Sequence, residues 1–323
     1  MSSAGIPAHR NRIEIIAEER KMNINDIKKV LIIGGGTMGT QISIPCALSG
    51  YSVVIYDIKE EVLQKSLRTI PKFLAGFVAF KKITQEEADA AVARISITTN
   101  PEEAAREADI VSESVPEDPE LKKKIFSQFN RLCPERTIFT TNTSTLLPSM
   151  IAADTGRPEK FLAYHFHDIR MTNVVDIMPH PGTAPETVAL VRAFAEKTGQ
   201  LPIMLTKENH GYVFNAMISA LFFAAQTLAS REVASVEDID RAWMGVTHML
   251  MGPFAIMDSI GTDTVYHITN YWAQRTKDKQ SIRNAEFMKK VVDDGRLGQK
   301  VKKGFYDYPN PAFSKPDFLK GSK

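Results

Sequence analysis

Residues 30 to 39 read VLIIGGGTMG, an apolar, β-branched run that passes directly into glycines. No other stretch constrains the fold as strongly. Gly34, Gly36 and Gly39 stand at the spacing G-x-G-x-x-G. In such a turn the first glycine permits the sharp reversal, the second lets the backbone approach a pyrophosphate, and the third lets the next helix pack closely on the strand. Thr37 and Met38 open that helix, whose free N–H groups and positive dipole end favour phosphate. A second β-branched run, VVIYD, ends at Asp57. A carboxylate there accepts hydrogen bonds from both adenosine ribose hydroxyls and repels a 2′-phosphate. Strand, glycine turn, helix and acidic strand end together predict a dinucleotide site for NAD in preference to NADP, built from Gly34, Gly36, Thr37, Met38, Gly39 and Asp57. Pro45 reads as lying just past the first turn of this helix, where it is expected to kink the helix or shorten its early hydrogen bonding.

From Asn25 onward short β runs alternate with helical stretches, the pattern of a parallel sheet covered on both faces. Strands are expected at 30–34, 53–57, 95–99, 109–114, 137–142, 160–166 and 174–178. Between the second and third lies a long insert, 59–94. Its TQEE at 84–87 reads as a capping box that starts a second helix, so the insert is expected to be a helical hairpin, with Lys72, Lys81 and Lys82 upon it. After LPIMLTKENHG no further β run appears and long apolar helices follow, which places a domain boundary near Lys207. Residues 1–25 carry mixed charge without the apolar core of a signal peptide and read as a flexible extension, with Met22 a candidate start.

The length of 323 residues suits two domains, and a net charge of +2 gives no general pull toward nucleic acid or an anionic membrane. The apolar run at 212–229 is interrupted by Asn215, Ser219, Gln226 and Thr227, so it reads as a core or interface helix, not a membrane span. Cys46 and Cys133 stand in unrelated segments without metal-ligand spacing, which argues against a disulfide scaffold or structural zinc and makes a reducing cytoplasm the default.

Beyond the glycine turn the chain carries, in order, ADIVSESVPEDPELKKKIF, TNTSTL, FLAYHF, GYVFN, MGPFAIMDSIGTD and GRLGQKVKKGFYDY. These motifs resemble, from Val30 to Tyr308, those of the 3-hydroxyacyl-CoA dehydrogenase family, which includes 3-hydroxybutyryl-CoA dehydrogenases, lambda-crystallin-type enzymes and diketoreductases. The resemblance implies an α/β fold, a doubly wound Rossmann-type NAD domain (26–207) followed by an all-helical domain (208–323) that dimerises. It implies that Glu117 and Lys122 border the cofactor near its nicotinamide ribose, with Asn142 and Lys300 also near the cofactor. It further implies that Ser144 stands beside the substrate hydroxyl and that Asn215 reaches the active site from the second domain. Each has a plainer alternative: Glu117 and Lys122 as an exposed helix ion pair, Ser144 as a cap of its own turn, and Asn215 as a buried amide that simply needs a partner.

His165 ends the strand KFLAYHF at the carboxyl edge, where open α/β sheets bind ligands. The family's catalytic histidine occupies this place. Interconverting an alcohol and a ketone requires a proton to leave or reach the oxygen, and imidazole suits both directions near neutral pH. Asp176 is the candidate to orient it. Here the sequence departs from the family pattern: aspartate replaces glutamate, the interval is 11 instead of 12, and His167, Asp168 and Ile169 replace an aromatic, an asparagine and a proline. Whether the shorter side chain and shorter loop compensate, and whether Asp168 takes over the orienting role, stays open at this point. His167 reads as a hydrogen-bonded structural residue, and no metal is expected because no closed ligand set accompanies the two histidines.

Three functions are therefore in view. The first is NAD-dependent interconversion of a short-chain 3-hydroxyacyl-CoA and its 3-oxo form, with Lys72, Lys81 and Lys82 available to the CoA phosphates. The second is a diketoreductase or 3-hydroxy-acid dehydrogenase, in which Arg170 pairs a small carboxylate and His167, Asp168 and Arg170 form a specificity loop. The third is a catalytically silent dinucleotide-binding relative. A small-molecule substrate, a homodimer formed through the second domain, and no nucleic-acid or membrane partner complete the expectation.

Overall fold

The computed structural model describes residues 22–320, so most of the extension expected at 1–25 lies outside the described residues. The chain divides into two compact units, Met1–His210 and Gly211–Lys323.

In the first unit β1 (Lys29–Ile33) leads through the glycine turn into α1 (Thr37–Leu48) and then β2 (Ser52–Tyr56). The insert is α2 (Glu60–Ala79) and α3 (Gln85–Ala93). Thr84 and Glu87 form the reciprocal capping box at the start of α3, with N–H···O distances of 2.8 and 3.2 Å. There follow β3 (Ile95–Thr98), α4 (Pro101–Ala105), β4 (Ile110–Glu113), α5 (Pro119–Leu132), β5 (Ile138–Thr141), β6 (Phe161–Phe166), β7 (Val174–Pro179), α6 (Pro185–Lys197) and β8 (Leu201–Met204).

These strands form one sheet in the order β3-β2-β1-β4-β5-β6-β7-β8. The continuous apolar character of β1 follows from burial on both faces. Val30 and Ile32 pack with Ile42, Val53, Ile55 and Leu63, while Leu31 and Ile33 pack with Phe126, Phe129 and Phe139. The first six strands in this order are parallel, whereas β7 runs antiparallel to β6 and parallel to β8. The sheet is parallel-dominated, as expected, and only β7 reverses against β6, because residues 167–173 are too few for a parallel crossover, which needs a dozen or more. β8 was not expected: its proline, Pro202, interrupts the β pattern and is tolerated because the strand lies at the sheet edge. A correction concerns Pro45, which falls in the last turn of α1 and not just past its first.

The second unit is helical: α7 (Phe214–Ser230), α8 (Val236–Thr247), α9 (Pro253–Ile260), α10 (Thr262–Thr276) and α11 (Lys279–Asp293), followed by short turns. Phe222, Ile239, Phe254, Met257, Met288 and Phe305 share its core. Two buried aspartates tie the elements together, each fully supplied with donors, as a buried carboxylate must be. Asp240 of α8 accepts from Phe254 N (2.8 Å) and Ala255 N (3.0 Å) at the start of α9 and from the Tyr306 hydroxyl (2.9 Å). Asp258 accepts from Phe305 N and Tyr306 N at 2.8 and 2.9 Å. Much of the MGPFAIMD and GFYDY motifs is thereby accounted for as scaffold.

Cys46 and Cys133 are both buried and unpaired. Among the described residues no helix is long and apolar enough to cross a membrane.

Candidate active site

The glycine turn has the form a dinucleotide needs. Gly34 N donates to Tyr56 O (2.8 Å), and Gly35 N donates to Asp57 Oδ2 (2.9 Å), so the acidic end of β2 braces the turn from beside it. Gly34 has φ +101°, and a Cβ there would lie 2.7 Å from Ser114 O. A Cβ at Gly39 would lie 1.9 Å from Gly34 O, so only glycine lets α1 sit this close to β1. At Gly36, by contrast, a Cβ would meet nothing within 4 Å. The helix N-terminus it precedes has no side-chain cap and no acidic residue in its first turn. Packing therefore explains Gly34 and Gly39 but leaves Gly36 unexplained, which fits a backbone kept bare for a pyrophosphate.

Beside this turn a cavity of about 250 Å³ is lined by Met38, Val115, Glu117, Lys122, Asn142 and Ser144. Asn142 accepts from Phe166 N through Oδ1 at 2.7 Å and so joins the ends of β5 and β6. Glu117 and Lys122 do pair, but with a buried lysine and not as a solvent-exposed pair on the helix. Lys122 is 1% exposed, and its Nζ donates to Glu113 Oε1 (2.7 Å) and Val115 O (3.2 Å) while standing 3.3 Å from Glu117 Oε2. Glu113, the last residue of β4, was missed in the sequence; a charged residue closing an otherwise buried strand was its one signal. It is fully buried and also accepts from Thr141 Oγ1 at 2.7 Å.

Glu117 in turn builds the TNTST turn. Its Oε1 accepts from Ser144 N and Thr145 N, both at 3.0 Å, from Thr145 Oγ1 at 2.8 Å, and from Thr143 Oγ1. Burial alone would raise its carboxyl, but these bonds and Lys122 outweigh burial and hold it below the ordinary value. With the turn held by Glu117 and by Thr143 Oγ1, which accepts from Leu146 N at 3.0 Å, Ser144 is not needed as a cap. Its Oγ lies 3.3 Å from His165 Nε2.

His165 and Asp176 are direct partners in the β6–β7 register. Residues opposite each other in an antiparallel pair have Cβ atoms about 5 Å apart, within reach of an aspartate. His165 Nδ1 lies 3.2 Å from Asp176 Oδ2, so the shorter loop and the shorter side chain compensate and leave no gap. Both residues are buried, at 4% and 1% exposure. Burial holds the His165 pKa below its ordinary value; the Asp176 bond opposes this without cancelling it, and neighbouring His167 adds to the lowering. Asp176 stays below the ordinary carboxylate value because its two imidazole hydrogen bonds outweigh the effect of burial.

His167 is hydrogen-bonded, as expected, but to the centre itself: its Nε2 lies 3.2 Å from the same Asp176 Oδ2. The three side chains bring their ring nitrogens and carboxylate oxygen within 4.8 Å of one another, a grouping the sequence did not disclose. Asp168 is not the orienting acid. Its carboxylate takes Arg170 Nε at 2.9 and 3.1 Å, and Arg170 Nη2 as well, so the guanidinium expected to meet a substrate carboxylate is already engaged. The loop is fastened to α1 through Ile169 N and Gln41 Oε1 at 3.0 Å. In the second unit Asn215 is half-buried in the first turn of α7, and Lys300 forms an ion pair with Asp263.

Comparison with known proteins decides the family. The model of the 3-hydroxyacyl-CoA dehydrogenase NAD binding domain matches residues 29–209, and that of the C-terminal domain matches 211–308. The chain belongs to the 3-hydroxyacyl-CoA dehydrogenase family. It is similar to a probable 3-hydroxybutyryl-CoA dehydrogenase of Bacillus subtilis, 34% identical over 88% of this chain and 98% of that protein. It is also similar to the mitochondrial hydroxyacyl-coenzyme A dehydrogenase of Homo sapiens, 30% identical over 87% and 91% of the two chains. Among solved structures it resembles a diketoreductase, with a TM-score of 0.81 and 34% identity over 87% of this chain and 99% of that one. The (S)-3-hydroxybutyryl-CoA dehydrogenase of Ralstonia eutropha gives a TM-score of 0.79 and 31% identity over 88% and 100%. As a member of this family the chain is an NAD-dependent oxidoreductase acting on CH–OH groups.

Proposed function

We propose that this dehydrogenase interconverts a short-chain 3-hydroxyacyl-CoA, of the 3-hydroxybutyryl-CoA kind, and the 3-oxoacyl-CoA. The observation that supports the reading most is the chain Ser144 Oγ, His165 Nε2, His165 Nδ1, Asp176 Oδ2, with gaps of 3.3 and 3.2 Å. An ionised Asp176 only accepts, so Nδ1 carries the proton and Nε2 presents its lone pair. In oxidation Nε2 takes the proton from the C3 hydroxyl as the C3–H bond breaks; in reduction the imidazolium returns it to the carbonyl oxygen. NAD, when bound, supplies the two-electron acceptor for the hydrogen leaving C3. Asp176 stabilises the imidazolium that forms. Ser144 holds the substrate oxygen against His165, and Asn215 is assigned the second hold on it. Asn142, Glu117, Lys122 and Lys300 belong to the cofactor's surroundings in this reading, Glu117 by shaping the turn that carries Ser144.

Lys72, Lys81 and Lys82 are all exposed on the α2–α3 hairpin and are assigned to the CoA phosphates. A homodimer through the second unit is part of the same reading, because Met217, Phe223 and Leu228 of the long helix α7 are exposed, 61%, 43% and 41%. So is a cytoplasmic setting, which suits two buried, unpaired cysteines.

A second reading, a diketoreductase acting on a non-CoA carboxylate or ester, is favoured by the likeness to the solved diketoreductase. Arg170, whose contact with a carboxylate motivated it, pairs with Asp168 in the structure. NADH consumption with acetoacetyl-CoA, free 3-oxo acids and 3,5-dioxo esters separates the two. The expected result is a kcat/KM for acetoacetyl-CoA well above the others; turnover of the esters without turnover of the thioester would replace the first reading by the second. NADH binding without reduction of any of these compounds would instead leave a catalytically silent relative.

A further inference from the structure

We propose that His167 is a second positioning residue of the acid–base centre: its ring N–H shares one oxygen of Asp176 with His165 and limits how strongly that carboxylate holds the His165 imidazolium. The proposal builds on the reading of His165 as the acid–base group.

Both His165 Nδ1 and His167 Nε2 stand 3.2 Å from Asp176 Oδ2. A carboxylate donates nothing, so each of these nitrogens carries its proton toward the shared oxygen. One buried oxygen thereby fixes the tautomer of two imidazoles. The rings meet edge to face with centroids 4.8 Å apart. His165 lies in β6 and His167 stands just past its end, and both rings reach Asp176 on the neighbouring strand. The position that the resemblance assigns to an aromatic side chain, which offers no N–H to a carboxylate, is here a donor. The second donor is therefore a feature of this chain.

The consequence is electrostatic. A carboxylate that already neutralises part of its charge on one N–H is a weaker partner for an imidazolium at the same oxygen. Burial lowers the His165 pKa most, and the groups that act on it include Asp176 from β7, His167 from its own segment, and Glu117 from the loop before α5. The two carboxylates favour the proton, while His167, like burial, opposes it. Removing the His167 donor should raise the affinity of His165 for its proton.

The test compares His167→Met with His167→Gln, side chains of equal length of which only glutamine keeps an amide donor. Chains labelled with 13C at the histidine Cε1 position are titrated without cofactor by NMR, the His165 signal being identified by its loss in His165→Gln. His167→Met is expected to raise the His165 midpoint by about half a pH unit or more, and His167→Gln to stay within ~0.2 unit of the parent chain. The acid limb of kcat/KM for 3-hydroxybutyryl-CoA oxidation should move with it. Equal midpoints in both variants, or a lower one in His167→Met, would overturn the proposal and reduce His167 to packing. The NMR shift needs no turnover, so a wrong substrate assignment would leave the first result intact and abolish only the second.

Discussion

Gly36 and Gly39 differ in what a methyl group would touch, and so in what their alanine variants lose. At Gly39 the methyl collides with Gly34 O, and α1 must move off β1. At Gly36 it enters open space above the helix N-terminus. Gly36→Ala is therefore expected to leave Tm within about 2 °C of the parent chain while raising the NADH Kd at least ~10-fold, whereas Gly39→Ala lowers Tm by several degrees. Calorimetry and NADH fluorescence titration check both, and equal losses of stability would contradict the division of roles. His165 adds a pH dependence. Its pKa is held below the ordinary histidine value of about 6.5, chiefly by burial, and oxidation by the proposed mechanism needs the neutral ring. Oxidative kcat/KM should therefore stay level as pH falls to about 6.5 and decline only below it, while reductive kcat/KM, which needs the protonated ring, falls as pH rises through the same range. A decline of the oxidative limb centred well above pH 7 would contradict this environment for His165.

The turn at 142–146 is an element whose shape depends on one distant carboxylate. Glu117 satisfies two backbone N–H groups and two hydroxyls of that turn, and it stands beside Lys122. Glu117→Gln replaces one accepting oxygen by a donor and removes the charge, so Ser144 loses its fixed placement beside His165. A fall in kcat of at least ~10-fold with little change in NADH Kd is expected, measurable by steady-state kinetics and cofactor titration. A change in Kd alone would assign Glu117 to cofactor binding only. This dependence was hidden in the sequence, where Glu117 and Ser144 are read separately and Glu113 passes as part of a strand. The elements themselves were legible because their signals are local: apolar runs, the glycine turn, the Thr84 capping box. β8 and the reversal at β7 were not, since strand direction depends on connection length and Pro202 disguises an edge strand. The meeting of His165 with Asp176 could be suspected from their strands, but its closure depends on a register that an interval of 11 alone does not reveal.

At the scale of the whole molecule, the parallel half of the sheet supplies the cofactor turn and the antiparallel return of β7 supplies the carboxylate for the histidine. Residues far apart in sequence, Glu117, Ser144, His165 and Asp176, thus converge at one edge of the first unit. The second unit is organised separately around Asp240 and Asp258, and its contribution of Asn215 belongs to the proposed function. The central claim is that His165 carries the proton in an alcohol–ketone interconversion of a 3-hydroxyacyl-CoA. The most direct measurement is single-turnover oxidation of NADH by acetoacetyl-CoA in the parent chain and in His165→Asn, with the NADH Kd determined for both. The account predicts an unchanged Kd and a rate lower by about 10²–10⁴-fold in the variant. Retention of the parental rate by His165→Asn would contradict it.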